Sequence, residues 1–330
     1  MIEQLLAHGM WVAIVLIIVG FVALVKGADW LVDGASALAK RFGISDLIIG
    51  LTVVAFGTSM PEFVVNMVSV AHGTTDLAIT NILGSNIINT FVILGLTALV
   101  YPIASQKHSR NFDIPLSIIA GFLVLVMVAI SSPVESTRSI SRIGGVLLLA
   151  FFVFFLYDAF QHAKDHTEKE AEIKENKDQM TITKAILLML CGLAGLTIGG
   201  ELIVDSAVDI AARCGVSQAI IGLTIVALGT SLPELATSVI AAHKHNCDIA
   251  IGNVFGSNIF NVFFVLGTSA VVRPLPAYEG IELDAFMAAL GSIIVWLALR
   301  TNKERVLQRW GGAVLLLVYA SYLTYRLLNI

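Results

Sequence analysis

The chain has 330 residues, of which 57% are hydrophobic and 13% charged, with a formal net charge of −4. Soluble domains carry roughly 25% charged residues, so this chain has too little polar surface to cover a water-soluble globule and is expected to sit in a lipid bilayer. The weak net charge, with no basic run interleaved with aromatics, gives no footing for nucleic acid, and no obligate protein partner is evident.

The first residues, MIEQLLAHGMW, contain no Lys or Arg. They lack the charged start of a signal peptide, so the first span is expected to stay in the mature protein. A membrane span needs about 20 mainly apolar residues. Ten stretches meet that need: 10–37, 44–71, 76–100, 112–131, 140–161, 182–211, 216–242, 248–272, 281–300 and 308–328. Between the fifth and sixth lies the one strongly charged segment, KDHTEKEAEIKENKDQM from Lys164 to Met180, read as a solvated loop or short surface helix.

Within this frame the chain repeats itself. Leu51 to Phe63 reads LTVVAFGTSMPEF and Leu223 to Leu235 reads LTIVALGTSLPEL, identical at nine of thirteen positions and offset by 172 residues. Asn81 to Asn89 (NILGSNIIN) and Asn253 to Asn261 (NVFGSNIFN) keep the same offset of 172. A fixed offset marks a duplicated unit. Five spans separate equivalent points, so the second copy is inverted relative to the first, as in many secondary transporters. The expected fold is an all-α polytopic membrane protein of ten transmembrane helices, arranged as two inverted five-helix repeats, 1–161 and 182–330, joined by a loop at 162–181. Placing both termini outside puts fourteen of the twenty Lys and Arg residues in the inner loops and five outside, with Lys26 inside the first span. That excess predicts periplasmic termini and a cytoplasmic central loop.

The repeated blocks carry the chemistry. A carboxylate at membrane depth costs at least about 2.5–3.5 kcal/mol on insertion scales and usually faces a partner or an aqueous path. Glu62 and Glu234 are such acids in equivalent places, and on a helix each shares one side of a turn with hydroxyls, Thr58 and Ser59 or Thr230 and Ser231. Pro61 has no N–H and crowds the carbonyl four residues back. It frees Gly57 and loosens the carbonyls around Ala55, and Pro233 acts likewise on Gly229 and Ala227. Asn81, Ser85 and Asn89 form a stripe on one helical face, repeated by Asn253, Ser257 and Asn261. All these donors are oxygen, which suits calcium, magnesium or sodium rather than zinc or copper, and many neutral oxygens favour calcium over magnesium. Two carboxylates shared between calcium and sodium would make occupancy mutually exclusive, the physical basis of exchange.

Other polar residues attract ordinary readings. Asp29 with Asp33, and Glu201 with Asp205, are equivalent by the same offset of 172; near span ends they are expected to be solvated, with a vestibule role as the alternative. His243 and His245 flank a loop lysine and are expected to face solvent. Cys191, Cys214 and Cys247 lack metal spacing and are expected to pack as small hydrophobes.

Together, GTSMPEF with GSNIIN and GTSLPEL with GSNIFN resemble the two alpha-repeats of the sodium/calcium exchangers in the calcium:cation antiporter superfamily. The resemblance covers both halves. It implies a short-loop, prokaryotic-type member, in the bacterial inner membrane, that moves calcium against a sodium gradient by alternating access and needs no cofactor beyond those ions. Carried over by motif position, Glu62 and Glu234 would be central calcium ligands shared with sodium. Thr58 and Thr230 would add carbonyl or hydroxyl oxygens, while Ser59, Ser231, Ser85 and Ser257 would help form sodium sites. Ala55 and Ala227 would contribute backbone carbonyls, and Asn89 and Asn261 would line the middle of the cluster. Two departures narrow the expectation. The potassium-dependent branch places an acid where this chain has Asn261, and the short Lys164 to Met180 loop has no room for large calcium-sensing domains.

The competing expectation is calcium/proton exchange through the same carboxylates, although the proton-coupled branch tends to read G-N-x-x-E around its acids. An intramembrane hydrolase would need a base, and no His lies near either acid. A channel would conduct without counter-ion dependence.

Overall fold

The computed structural model describes residues 9–130, 138–170, 180–215 and 227–328. Helix α1 (Met10–Phe42) opens the chain and stops at Gly43, whose φ of 64° is the left-handed conformation that ends helices cheaply. Ser45 then caps α2 (Asp46–Thr58) by accepting a hydrogen bond from the Ile48 N–H. The axis turns by 45° into α3 (Met60–His72). Pro61 lies in the first turn of α3, where its missing N–H interrupts the ladder, and Ser59 sits at the corner with φ −86° and ψ 8°.

Next come α4 (Thr75–Val100) and α5 (Ser109–Ala129), followed by α6, which runs from Arg142 to Glu170. The sequence places the end of this span at 161. The helix carries on past it because backbone hydrogen bonds, unlike apolarity, need not stop where the polar residues begin. The second half repeats the order with α7 (Ile182–Arg213), a helical turn at Ala227–Gly229, α8 (Leu232–His243), α9 (Cys247–Val272), α10 (Ile281–Thr301) and α11 (Arg309–Leu328). The part of the predicted seventh span before Ala227, residues 216–226, lies outside the described residues. Ser231 stands at its corner with φ −91° and ψ 4°, within five degrees of Ser59, and Pro233 follows in the first turn of α8.

The ten spans form two inverted repeats, and reciprocal contacts tie them together. Helices α1 and α7 lie antiparallel in backbone contact. A Cβ added at Gly20 would meet the Gly199 carbonyl at 2.8 Å, and one at Gly27 would meet the Gly192 carbonyl at 2.7 Å. Among the described residues, four two-residue strands lie between spans. β1 (Ile103–Ala104) pairs antiparallel with β4 (Val306–Leu307), and β2 (Ser139–Ile140) with β3 (Leu275–Pro276), so each ladder joins one half to the other. Apolarity alone does not announce strands this short.

α4 and α9 are the most enclosed spans, while α1, α6 and α11 expose much of their surface. That exposed surface is apolar, with Trp11, Ile18, Val153, Phe160 and Leu317 outward-facing, as contact with lipid requires. Cys191 and Cys214 are exposed as well, and only Cys247 is partly enclosed. The expected packing role therefore fails for the first two, whose apolar surroundings in the sequence face outward.

Candidate functional site

The two helix breaks set the site. Because each carboxylate follows its break by a few residues, Glu62 falls in the first turn of α3 and Glu234 in the first turn of α8. Both are fully buried. An anion is favoured at a helix N-terminus, yet a buried charge without a counter-ion still costs several kcal/mol. Among the described residues no Lys, Arg or His forms an ion pair with either glutamate.

Hydroxyls from both halves surround the carboxylates. Ser59 Oγ donates to Glu234 Oε1 at 2.8 Å across the repeat boundary, and Ser85 Oγ donates more loosely to Glu62 Oε1 at 3.5 Å. The Thr58 hydroxyl donates to Asn253 Oδ1 at 3.0 Å, next to the Glu234 carboxylate. Thr230 and Ser257 approach Glu62 and Glu234 respectively, without closing a hydrogen bond of ordinary geometry. The Ala55 carbonyl accepts from the Ser59 N–H at 3.0 Å and the Thr58 hydroxyl at 3.3 Å. Any ligand role for it would use what lone-pair capacity remains. The backbone of Ala227 begins the turn that precedes Thr230 and Ser231.

Above this pair α4 and α9 cross, each widened into a π-helical stretch, Ile88–Ile93 and Phe260–Leu266. Such widenings recur at functional sites because they re-aim side chains. Here they carry Asn89 and Asn261. Asn89 Nδ2 donates to Asn258 Oδ1 at 3.2 Å, and Asn261 Nδ2 donates to Asn86 Oδ1 at 3.1 Å. Each amide thus spends its donor on the opposite repeat and is left with its oxygen.

The outcome is a set of buried acceptors without donors: Glu62 Oε2, Glu234 Oε2, Asn89 Oδ1 and Asn261 Oδ1 have no hydrogen-bond partner, and neither does the Ser231 hydroxyl. Each unsatisfied buried polar atom costs about 1–3 kcal/mol. A dehydrated hard cation would satisfy several of them at once, since calcium takes 6–8 oxygen ligands.

The motif residues most easily overlooked are Asn86 and Asn258. They lie off the Asn81, Ser85, Asn89 stripe, yet their duplication within GSN at the offset of 172 was the available signal. Asn258 also donates to Thr90 Oγ1 at 2.8 Å. Asn66 and Ser238 brace the entrance to the motif helices, accepting from Asn81 at 2.9 Å and from Asn253 at 2.9 Å. These two are equivalent in position but differ in residue type, so no repeat pattern reveals them.

The acidic pairs differ between the halves. Lys244 pairs with both Asp29 and Asp33 of α1 at 2.6 Å. Glu201 and Asp205, by contrast, line a cavity of about 330 Å³ that reaches Thr230, Pro61 and Pro233. His243 and His245 are exposed as expected, and His245 stacks edge-on against Tyr101.

The sequence profile described as sodium/calcium exchanger protein matches residues 12–160 and 184–328. CaxA of Alkalimonas amylolytica is 38% identical over 320 residues, covering 95% of this chain and 98% of that one. The sodium/calcium exchanger MaX1 of Methanosarcina acetivorans is 30% identical, covering 93% and 96%. Among solved structures, the sodium-calcium exchanger NCX_Mj soaked with 10 mM Na⁺ and zero Ca²⁺ superposes with a TM-score of 0.81 at 30% identity, covering 96% of this chain and 99% of that one.

Proposed function

The chain belongs to the sodium/calcium exchanger protein family, and from that premise we propose that it exchanges calcium for sodium at the Glu62/Glu234 centre by alternating access. It is a membrane antiporter of that family, and its relatives are transporters rather than enzymes. The observation that carries the finer reading is the set of buried, donor-less acceptor oxygens on Glu62, Glu234, Asn89 and Asn261, two from each repeat.

Glu62 and Glu234 together carry two negative charges, which one calcium or two sodium ions neutralise. Calcium takes the carboxylates with Thr58, Thr230 and the central asparagine oxygens. Sodium takes the flanking positions formed by Ser59, Ser231, Ser85 and Ser257 with the Ala55 and Ala227 carbonyls. Because the carboxylates are common to both sets, either cargo expels the other. The repeats 1–161 and 182–330 move about this centre, with α1 and α7 rocking as a pair against the rest. The cavity beside Glu201 and Asp205 is the open approach, and the Lys244 ion pairs hold the opposite end shut. We place the protein in a bacterial inner membrane, with periplasmic termini and the 162–181 connection in the cytoplasm.

The test is calcium-45 uptake into proteoliposomes preloaded with sodium at clamped pH, with a parallel pH-gradient arm. Uptake that requires internal sodium supports the assignment. Flux driven by the pH gradient and indifferent to sodium would overturn it in favour of calcium/proton exchange.

The serines give a finer test. A hydrogen bond or ligand contact is worth about 1 kcal/mol, or roughly fivefold in affinity. Ser59→Ala, Ser231→Ala, Ser85→Ala and Ser257→Ala are each expected to raise the sodium concentration needed for half-maximal exchange by about that factor, with a smaller change for calcium. Equal shifts for both ions would argue against separate sodium positions.

A further inference from the structure

A second cluster of ligating side chains lies well apart from the glutamates, where the start of α5 meets the last turns of α6. His108 immediately precedes α5, and Asp113 follows one turn later. Asp158 and His162 stand four residues apart on α6, hence on one face. His108 Nε2 lies 3.0 Å from Asp158 Oδ2 and 3.6 Å from Asp113 Oδ1. The His108 and His162 rings are 3.5 Å apart at 32°. Ligand atoms of His108, Asp158 and His162 all fall within 4.8 Å of one another.

A protonated His108 bridging two aspartates is the simplest account of the ion pairs, but it involves only one of the two imidazoles that lie together here. Asp113 is 1% exposed, faces His108 with one oxygen, and has no hydrogen-bond partner for the other. A second imidazole also lies directly against the first, where two imidazolium ions would repel. A metal ion would use both imidazoles in neutral form together with the Asp158 carboxylate, whose ligand atoms lie within 4.8 Å of one another. Two imidazole nitrogens with carboxylate oxygens suit a borderline ion such as zinc, whereas calcium and sodium prefer oxygen throughout.

We propose that His108, Asp158 and His162 form a binding site for a divalent transition-metal ion of the zinc class, with Asp113 beside His108. The ion would clamp α5 to α6 at the end from which α6 continues to Glu170. Its donor set is chemically distinct from the all-oxygen centre between the repeats, so the two sites take different ions.

The experiment is metal titration of the purified full-length chain in detergent, after chelator treatment, using zinc with equilibrium dialysis and cobalt with its visible absorption as ligand-sensitive readout. The expected result is one zinc per chain, with a cobalt spectrum typical of nitrogen and oxygen ligands. His162→Ala and His162→Gln are each expected to weaken zinc binding at least about tenfold, the lower end of what even supporting residues contribute. Thermal unfolding of the metal-free proteins checks that both variants fold. Zinc binding should persist in the Glu62→Gln/Glu234→Gln double variant, which separates this site from the transport centre. Absence of zinc binding by folded wild-type protein, binding unaffected by either His162 variant, or binding lost with the two glutamates would each overturn the proposal.

Discussion

Glu62→Gln and Glu234→Gln are each expected to reduce sodium-driven calcium flux by about 100-fold or more, because removing one member of a buried charge arrangement costs about 3–5 kcal/mol. Glutamine keeps the shape and the Oε1 acceptor that Ser59 or Ser85 reaches, but it withdraws one of the two charges that hold calcium. In the absence of ions the variants should be as stable as the parent, since two buried carboxylates facing one cluster destabilise the empty site. The same logic predicts a difference in ligand-linked stability. Calcium at 100 times its dissociation constant stabilises the folded state by about 2.7 kcal/mol through mass action. The parent melting temperature should rise accordingly, while that of either variant should not. Calcium-45 uptake and calcium-dependent unfolding measure the two effects separately. Normal uptake in either variant would refute the central assignment, whereas loss of flux accompanied by loss of folded protein would leave only a structural role.

The second large effect concerns backbone contact between α1 and α7. Adding a methyl at Gly192 would place its Cβ 2.7 Å from both the Gly27 carbonyl and the Leu31 N–H nitrogen. Those are backbone atoms, so neither can rotate aside, and the helices must separate. Gly192→Ala and Gly27→Ala are expected to destabilise the protein by about 1–3 kcal/mol, as overpacking in a dense interior does. Gly200→Ala on the same α7 supplies the control, because nothing lies within 4 Å of the added methyl. There the lower backbone entropy of alanine should stabilise by up to about 1 kcal/mol. Thermal unfolding in a fixed detergent compares the three. Equal stability of Gly192→Ala and Gly200→Ala would show that the close approach is not required. If α1 and α7 move as one body, Gly192→Ala should also impair exchange more than its loss of folded protein explains.

Much of the architecture is legible in the amino-acid sequence. Apolar runs marked span ends to within a few residues through most of the chain, because a lipid-spanning helix must hide its backbone and show apolar side chains over a set length. The bend between α2 and α3 was readable from Pro61, since proline removes a particular hydrogen bond wherever it occurs. The extension of α6 to Glu170 was not, nor were the strand ladders, which depend on loops from different halves meeting.

Within the site, Glu62 and Glu234 stood out because an acid in an apolar span is costly and its duplication is improbable by chance. Asn86 and Asn258 did not, although they hold the crossing together. Their partners lie 175 and 169 residues away in sequence, and helical periodicity reports only neighbours three or four residues apart. His108, Asp158 and His162 were likewise unremarkable as letters, two of them far from the third along the chain.

By itself, then, the amino-acid sequence determined that this is a duplicated membrane protein with two buried carboxylates among neutral oxygens. Composition, helix breaking and repeat spacing are local properties, and each has a local energetic cause. Tertiary structure decided which oxygens are consumed as hydrogen-bond partners and which remain bare, among them one on each of Glu62, Glu234, Asn89 and Asn261. It also decided that Asp29 and Asp33 are covered by Lys244 while their counterparts line an open cavity. Those outcomes depend on how one repeat docks against its inverted twin, and two nearly identical segments can then meet different neighbours.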